Sequence, residues 1–460
     1  QSPLLGTVMA CLLVVPLILL LSAELRVGAE AAALLFGRPV AHTATLLAIT
    51  IMIVVGASGL RSQTWSGVAM AIAALLAFIV PIAIVATMET FLPIPQLSHG
   101  PVLRALGRTE ALQTLPQIQL PPLSMTLPGQ DLSILSGRFA SQTTMLGTLA
   151  FALLSLIVAF GVAGSPSLLP RCGAAPSVYD SRKSLGWAAV VLIIMVTTMS
   201  AVAVLTRDLV LKQAIGSNPA ALASWLRDWI GLGLAQVDAS GERVDVTRLA
   251  FRRDGILYLL PHAHGLPHVV VAVAVAGAVA ASLLAACQAA VALSSILVDD
   301  IMFGSRLAAG NETRRLLMAR ASLGLATLAA LAVVANVQVD PLQLVLWSLC
   351  LSAATAFPVM VLSVWWKNLT GRGAMSGALA GFSVTALAML LAEGGVLALA
   401  SPLSALLGTP ITFAVAIAVS LLAHGPGRAE LEIIRDVRVP GGETFVDREV
   451  RQERARGRKT

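Results

Sequence analysis

The chain has 460 residues, of which 57% are hydrophobic and only 12% charged, and its mean hydropathy is +0.86. These values exclude a soluble globular domain and place it among polytopic membrane proteins. The net charge of +7 is dispersed through loops and the tail, so it reflects membrane topology rather than a nucleic-acid surface.

Apolar runs of membrane length fall at residues 4–23, 42–60, 67–90, 144–163, 186–206, 267–298, 318–336, 342–366, 374–397 and 404–423, about ten spans in all. The fold class is therefore all-α, a bundle of membrane helices. The first span continues through Glu24 and Arg26 to Leu35 without a breaker, and its charges are expected to reach the interface. Arg61, then Arg171, Arg182 and Lys183, then Arg306, Arg314 and Arg315, then Lys367 and Arg372 follow the even-numbered spans. The positive-inside rule puts those connections, and the C-terminus, in the cytoplasm. Residues 1–424 then form the membrane domain, and 425–460 a polar cytoplasmic tail. Two long connections, 91–143 and 207–266, fall outside, and the second carries Trp225 and Trp229 one helical turn apart, a spacing that predicts a helix lying at the membrane interface.

Span 4 ends in Gly161, Gly164 and Pro166, a cluster that loosens or ends a helix and exposes carbonyls that can line a site. The plainer alternative is a helix terminus followed by a loop. Pro267 to Ile301 holds about thirty residues before the first charge, more than a bilayer core requires. Its many alanines allow close approach of neighbours, which predicts a central strut. Ser282, Gln288, Ser294 and Ser295 interrupt its apolar surface, either as liners of a polar path or as helix-to-helix hydrogen bonders.

His262, His264 and His268 have chelating proximity, but no carboxylate or cysteine is spaced to complete a metal site. Asp299 and Asp300 end the central helix and read better as a salt-bridged helix end than as an ion gate. Cys11, Cys172, Cys287 and Cys350 show neither metal spacing nor a disulfide framework. No nucleophile with its base and no phosphate-cradling loop occurs, so the chain is not expected to be an enzyme or to hold a cofactor.

From Gly161 to Ala188 the sequence resembles a segment of the sodium:solute symporters, in the branch around bacterial acetate, pantothenate and proline carriers. The family form, G-T-A-G-L-P-H, a basic loop, then A-R-K-S-x-G-W, is matched through Gly161, Ala163, Gly164, Pro166, Arg171, Pro176, Arg182, Lys183, Ser184, Gly186 and Trp187. Gly59, Arg61, Thr64 and Trp65, then Phe357 and Pro358, then WKNLTGRGAMSGALAG from Trp366 continue the likeness in family order.

The resemblance implies an inverted-repeat, LeuT-like core of about ten helices with solute and sodium bound midway, beside the broken first helix of each repeat. It also implies a bacterial cytoplasmic membrane, contact with its lipids, and a small organic solute such as a short monocarboxylate. Span 1 aligns with the third core helix, so this sequence lacks the peripheral helix and the first two core helices. A small membrane subunit or a separate chain would then supply them. The family's sodium-binding hydroxyl pair falls at Leu284 and Ala285, whose side chains carry no oxygen. Sodium would there depend on backbone, or on Ser282 after a local shift. The alternatives are a non-transporting sensor or assembly subunit derived from a symporter, and one half of a split transporter.

Overall fold

The computed structural model describes residues 3–57, 60–112, 132–134, 145–167, 178–218, 221–231, 234–237, 243–244, 249–252, 255–302, 312–337, 339–397 and 399–423. The predicted tail therefore lies outside the described residues. In chain order the helices are α1 (Pro3–Phe36), α2 (Val40–Ala57), α3 (Leu60–Thr90), α4 (Pro95–Leu112), α5 (Met145–Gly164), α6 (Val178–Gln213), α7 (Ser224–Gly231), α8 (Ile256–Ala263), α9 (His268–Ser295), α10 (Glu312–Asn336), α11 (Pro341–Trp365), α12 (Gly371–Glu393) and α13 (Ala405–Leu422). A π-helical stretch, Ile296–Met302, extends α9. Three short strands, β1 (Leu132–Ile134), β2 (Ala235–Val237) and β3 (Leu249–Arg252), form an antiparallel sheet with β3 in the middle.

Eight helices among the described residues are long and apolar enough to cross a membrane, and two shorter apolar stretches, Val40–Gly56 and Ala152–Gly164, accompany them. They coincide with the spans read from the sequence. An apolar run in lipid satisfies its backbone polar groups only as a helix, so span and helix become one thing. The helix ends follow local chemistry. Asp340 caps α11 by accepting the Leu342 N–H at 3.1 Å, with Pro341 in the first helical position. Thr370 caps α12 through the Gly373 N–H at 3.2 Å.

The expected central strut is α9, yet the most enclosed span is α11, with 67% of its apolar window buried against 22% for α9. The reason is position: α11 lies among α1, α5, α12 and α13, whereas α9 packs on α1, α3, α2 and α10 and leaves part of its surface open. Glycine sets the tightest seam. Gly373, Gly377 and Gly381 of α12 lie against Ser420, Ala416 and Thr412 of α13, close enough that a Cβ on Gly377 would stand 2.8 Å from the Thr412 carbonyl oxygen.

Two sequence expectations change here. Arg26 does not extend to the protein surface: it and Glu30 are only 7% and 8% exposed. Its guanidinium donates to Glu30 at 3.2 Å and to the Val337 and Val339 carbonyls at 2.9 and 2.8 Å, which ties α1 to the α10–α11 connection. Nor do Trp225 and Trp229 lie at a lipid interface. Both are buried in a cap built from α7, α8 and the sheet, with each indole ring centred 6.4 Å from the Phe251 ring. Their N–H groups are satisfied within the protein, by Gln213 and His262.

Candidate functional site

The α3–α9 seam holds two cavities. The helices run antiparallel, and Gly277 of α9 meets Ala77 of α3 so closely that a side chain at 277 has no room. Around that contact lies the upper cavity, about 160 Å³, walled by Ala74, Phe78 and Ile82 of α3, Ala274 and Ala281 of α9, and Met195 and Met199 of α6. Tyr258 of α8 helps to roof it. Such a volume suits a small apolar group, and this lining repels a bare carboxylate.

Further along the seam is a second cavity of about 10 Å³, lined by Val54, Ser66, Gly67, Met70, Leu284, Cys287 and Gln288. It has room for roughly one water-sized species. Gln288 makes no hydrogen bond among the described residues, so its amide is free to serve an occupant. Leu284 comes within 3.4 Å of a Cβ built on Gly67.

Of the candidate residues on α9, the structure brings Leu284 and Gln288 together, with Ala285 half-buried beside them. It parts them from the serines. Each helical residue turns about 100°, so Ser282 lies about 200° from Leu284. Ser282 is buried on the α1 side against Gly28, and its hydroxyl donates to the Val279 carbonyl at 2.9 Å. Ser294 faces α10, bonded to the Ala319 carbonyl at 2.9 Å and the Ser322 hydroxyl at 3.1 Å. Ser295 is exposed and bonds back to Ala292. All three serine hydroxyls therefore serve helix backbones or neighbouring helices.

Gly161, Gly164 and Pro166 lie elsewhere, on α5 and the turn that ends it. The helix is continuous through Gly161 and stops at Gly164. A Cβ on Gly161 would strike the Leu349 carbonyl of α11, and one on Gly164 would lie 2.8 Å from the Ser352 carbonyl. Phe160 stacks on Phe357 with ring centroids 4.1 Å apart. These glycines admit a close helix neighbour. On either side of Pro166 the Ser165 and Ser167 hydroxyls meet at 2.9 Å.

A sodium ion requires several oxygen ligands. Beside Leu284 the side-chain oxygens lining the cavity are those of Ser66 and Gln288, and the carbonyls of 284 and 285 lie within the continuous helix α9. That donor set is a partial shell. Sequence reasoning missed Ser66, Gly67 and Met70, because α3 reads as a uniform apolar run and only tertiary pairing gives it a site-facing side. The histidines separate as well, and no group of three or more His, Cys, Asp or Glu suited to a metal occurs among the described residues. Asp299 is salt-bridged to Arg315, with distances of 2.9 and 2.6 Å.

No protein-family model matches the chain. An uncharacterized symporter of Cupriavidus necator is 28% identical over 241 residues, which take in 51% of this chain and 35% of the relative. The match thus spans about a third of that relative's length. A solved structure of a Na+-coupled sialic acid symporter, in its substrate-bound outward-open state, superimposes with a TM-score of 0.58 at 14% identity, covering 92% of this chain and 75% of that one. The chain is therefore a multi-pass membrane protein with the LeuT-like helical fold of that symporter.

Proposed function

We propose that the chain forms the transport domain of a sodium-coupled symporter that moves a small organic solute by alternating access. The observation that carries this reading is the fold shared with a Na+-coupled symporter over 92% of the chain. A short monocarboxylate such as acetate is the solute class we favour, with the Gln288 amide as a donor to its carboxylate. Sodium is cargo in this scheme, held near Leu284 and Ala285 by Ser66, Gln288 and further oxygens. Gly161, Gly164 and Pro166 act at the moving joint. At these two glycines α5 meets the α11 backbone directly, with no side chain of its own in between. The membrane domain is residues 1–424, with connections 91–143 and 207–266 outside, the tail in the cytoplasm, and the bacterial inner membrane as the location.

A second reading is a non-transporting sensor or assembly module, and the missing side-chain oxygens at Leu284 and Ala285 favour it. A third, a bundle completed by helices from a separate polypeptide, is supported by α6, where every residue from 185 to 194 is exposed. Calorimetric titration of acetate, pyruvate and proline into the purified protein, with and without sodium, separates transport from the sensor reading. Sodium is expected to tighten binding of one solute, and Gln288→Ala to weaken it about two- to tenfold, the worth of one hydrogen bond. Solute binding indifferent to sodium contradicts the coupling.

A further inference from the structure

The connection that follows α3 dips back toward the membrane before it departs. Residues 184–206 of α6 carry no charge and make about 34 Å of helix at about 1.5 Å per residue, close to a bilayer core, so Arg207 marks a membrane edge. α3 ends just beyond that edge, with Glu89 in electrostatic reach of Lys212. α4 then runs beside α6: its Glu110 pairs with the buried Arg207, and its Leu106 packs with Val204. At the start of α4 the Gln96 amide donates to the Thr198 hydroxyl at 2.6 Å, a level about 13 Å inside the edge. Residues 91–95 make this descent. Pro93 and Pro95 favour extended backbone at Leu92 and Ile94, and an extended residue covers about 3.3 Å.

The descent leaves apolar side chains on the surface at membrane depth. Phe91 is 91% exposed, although its φ of 58° lies in the left-handed region that favours glycine, so packing among the described residues does little to offset that backbone. Leu92 and Ile94 are exposed as well, and Leu97 is 66% exposed. Along α4, Leu97, Pro101, Arg104 and Arg108 follow one another at spacings of three and four residues, which makes one exposed stripe. The stripe is apolar at its deep end and basic toward the membrane edge. We propose that it seats an anionic phospholipid, with an acyl chain along Ile94 and Leu97 and the phosphate at Arg104 and Arg108. Depth makes hydrocarbon rather than water the neighbour of the apolar end. Two guanidinium groups one turn apart select a negative headgroup, and their alkyl stems let them reach up to it. This site requires no solute and stands apart from the transport reading.

Fluorescence quenching of a Leu97→Trp variant of the full chain tests it. The variant is placed in phosphatidylcholine vesicles containing a rising fraction of phosphatidylglycerol or phosphatidylcholine brominated along the acyl chain, and the wild-type signal in the same vesicles is subtracted. Both brominated lipids are expected to quench the added indole, with half-maximal quenching at about fivefold lower mole fraction for phosphatidylglycerol, the preference that one basic residue at a membrane surface supplies. Adding Arg104→Gln with Arg108→Gln should abolish that preference and leave quenching by both lipids. An indole quenched by aqueous iodide and by neither lipid overturns the proposal, since the stripe then lies in water. An indole that none of them quenches also overturns it, by showing the stripe covered by a second copy or another protein. Equal quenching by the two lipids, or a preference that survives loss of both arginines, overturns the headgroup assignment. Should Leu97→Trp fail to fold, Ile94→Trp gives the same readout.

Discussion

Gly381→Leu is expected to leave little folded protein in a detergent extract, with the main peak lost on size exclusion. Three helices converge on this glycine. A Cβ at 381 strikes the Thr412 hydroxyl of α13 and would stand 2.8 Å from the Ala354 carbonyl oxygen of α11. Neither neighbour can give way cheaply. The Thr412 hydroxyl is committed to the Ala354 and Gly408 carbonyls at 2.5 and 3.0 Å, and Thr385 bonds the Gly381 carbonyl itself at 2.7 Å. Overpacking commonly costs about 1–3 kcal/mol, and a whole isobutyl group forced between backbones lies at or above the top of that range. Gly186 is the control, since a Cβ there meets nothing within 4 Å. Gly186→Ala should instead stabilise α6 by about 0.5–1 kcal/mol through helix propensity.

Arg26→Leu is expected to cost about 3–5 kcal/mol, read as a large drop in melting temperature by intrinsic fluorescence in detergent. The substitution strips the Val337 and Val339 carbonyls of a shared donor and leaves the Glu30 carboxylate buried without its cation. The double variant Arg26→Leu with Glu30→Leu should recover a good part of the loss, because it removes the stranded charge along with its partner. A double variant as unstable as the single one would assign the loss to the two carbonyls rather than to the charge.

The membrane helices were legible because bilayer thickness and backbone satisfaction admit one solution for a long apolar run. Connections obey no such rule. Pro95–Leu112 lies inside a stretch read as a loop, yet it forms a helix that packs on α6, joined through Leu106 and the buried Glu110–Arg207 ion pair. Its partner lies about a hundred residues away, so local pattern cannot reveal it. Trp225 and Trp229 carry the same amphipathic signature whether they face lipid or a protein cap, and only the distant strand bearing Phe251 decides between them. On α9 the sequence picked out polar residues, but helical geometry distributes them over different faces, leaving Gln288 with Leu284 on the α3 seam. The cavity itself is made by small residues, whose role is visible only when two helices are brought side by side.

The most direct test is uptake of labelled acetate, pyruvate and proline into proteoliposomes holding this protein under an imposed inward sodium gradient. Sodium-coupled transport requires uptake of one of them that collapses when the gradient is dissipated. Flat uptake, with the protein folded and inserted, contradicts sodium coupling for these solutes and leaves the sensor or assembly reading in its place.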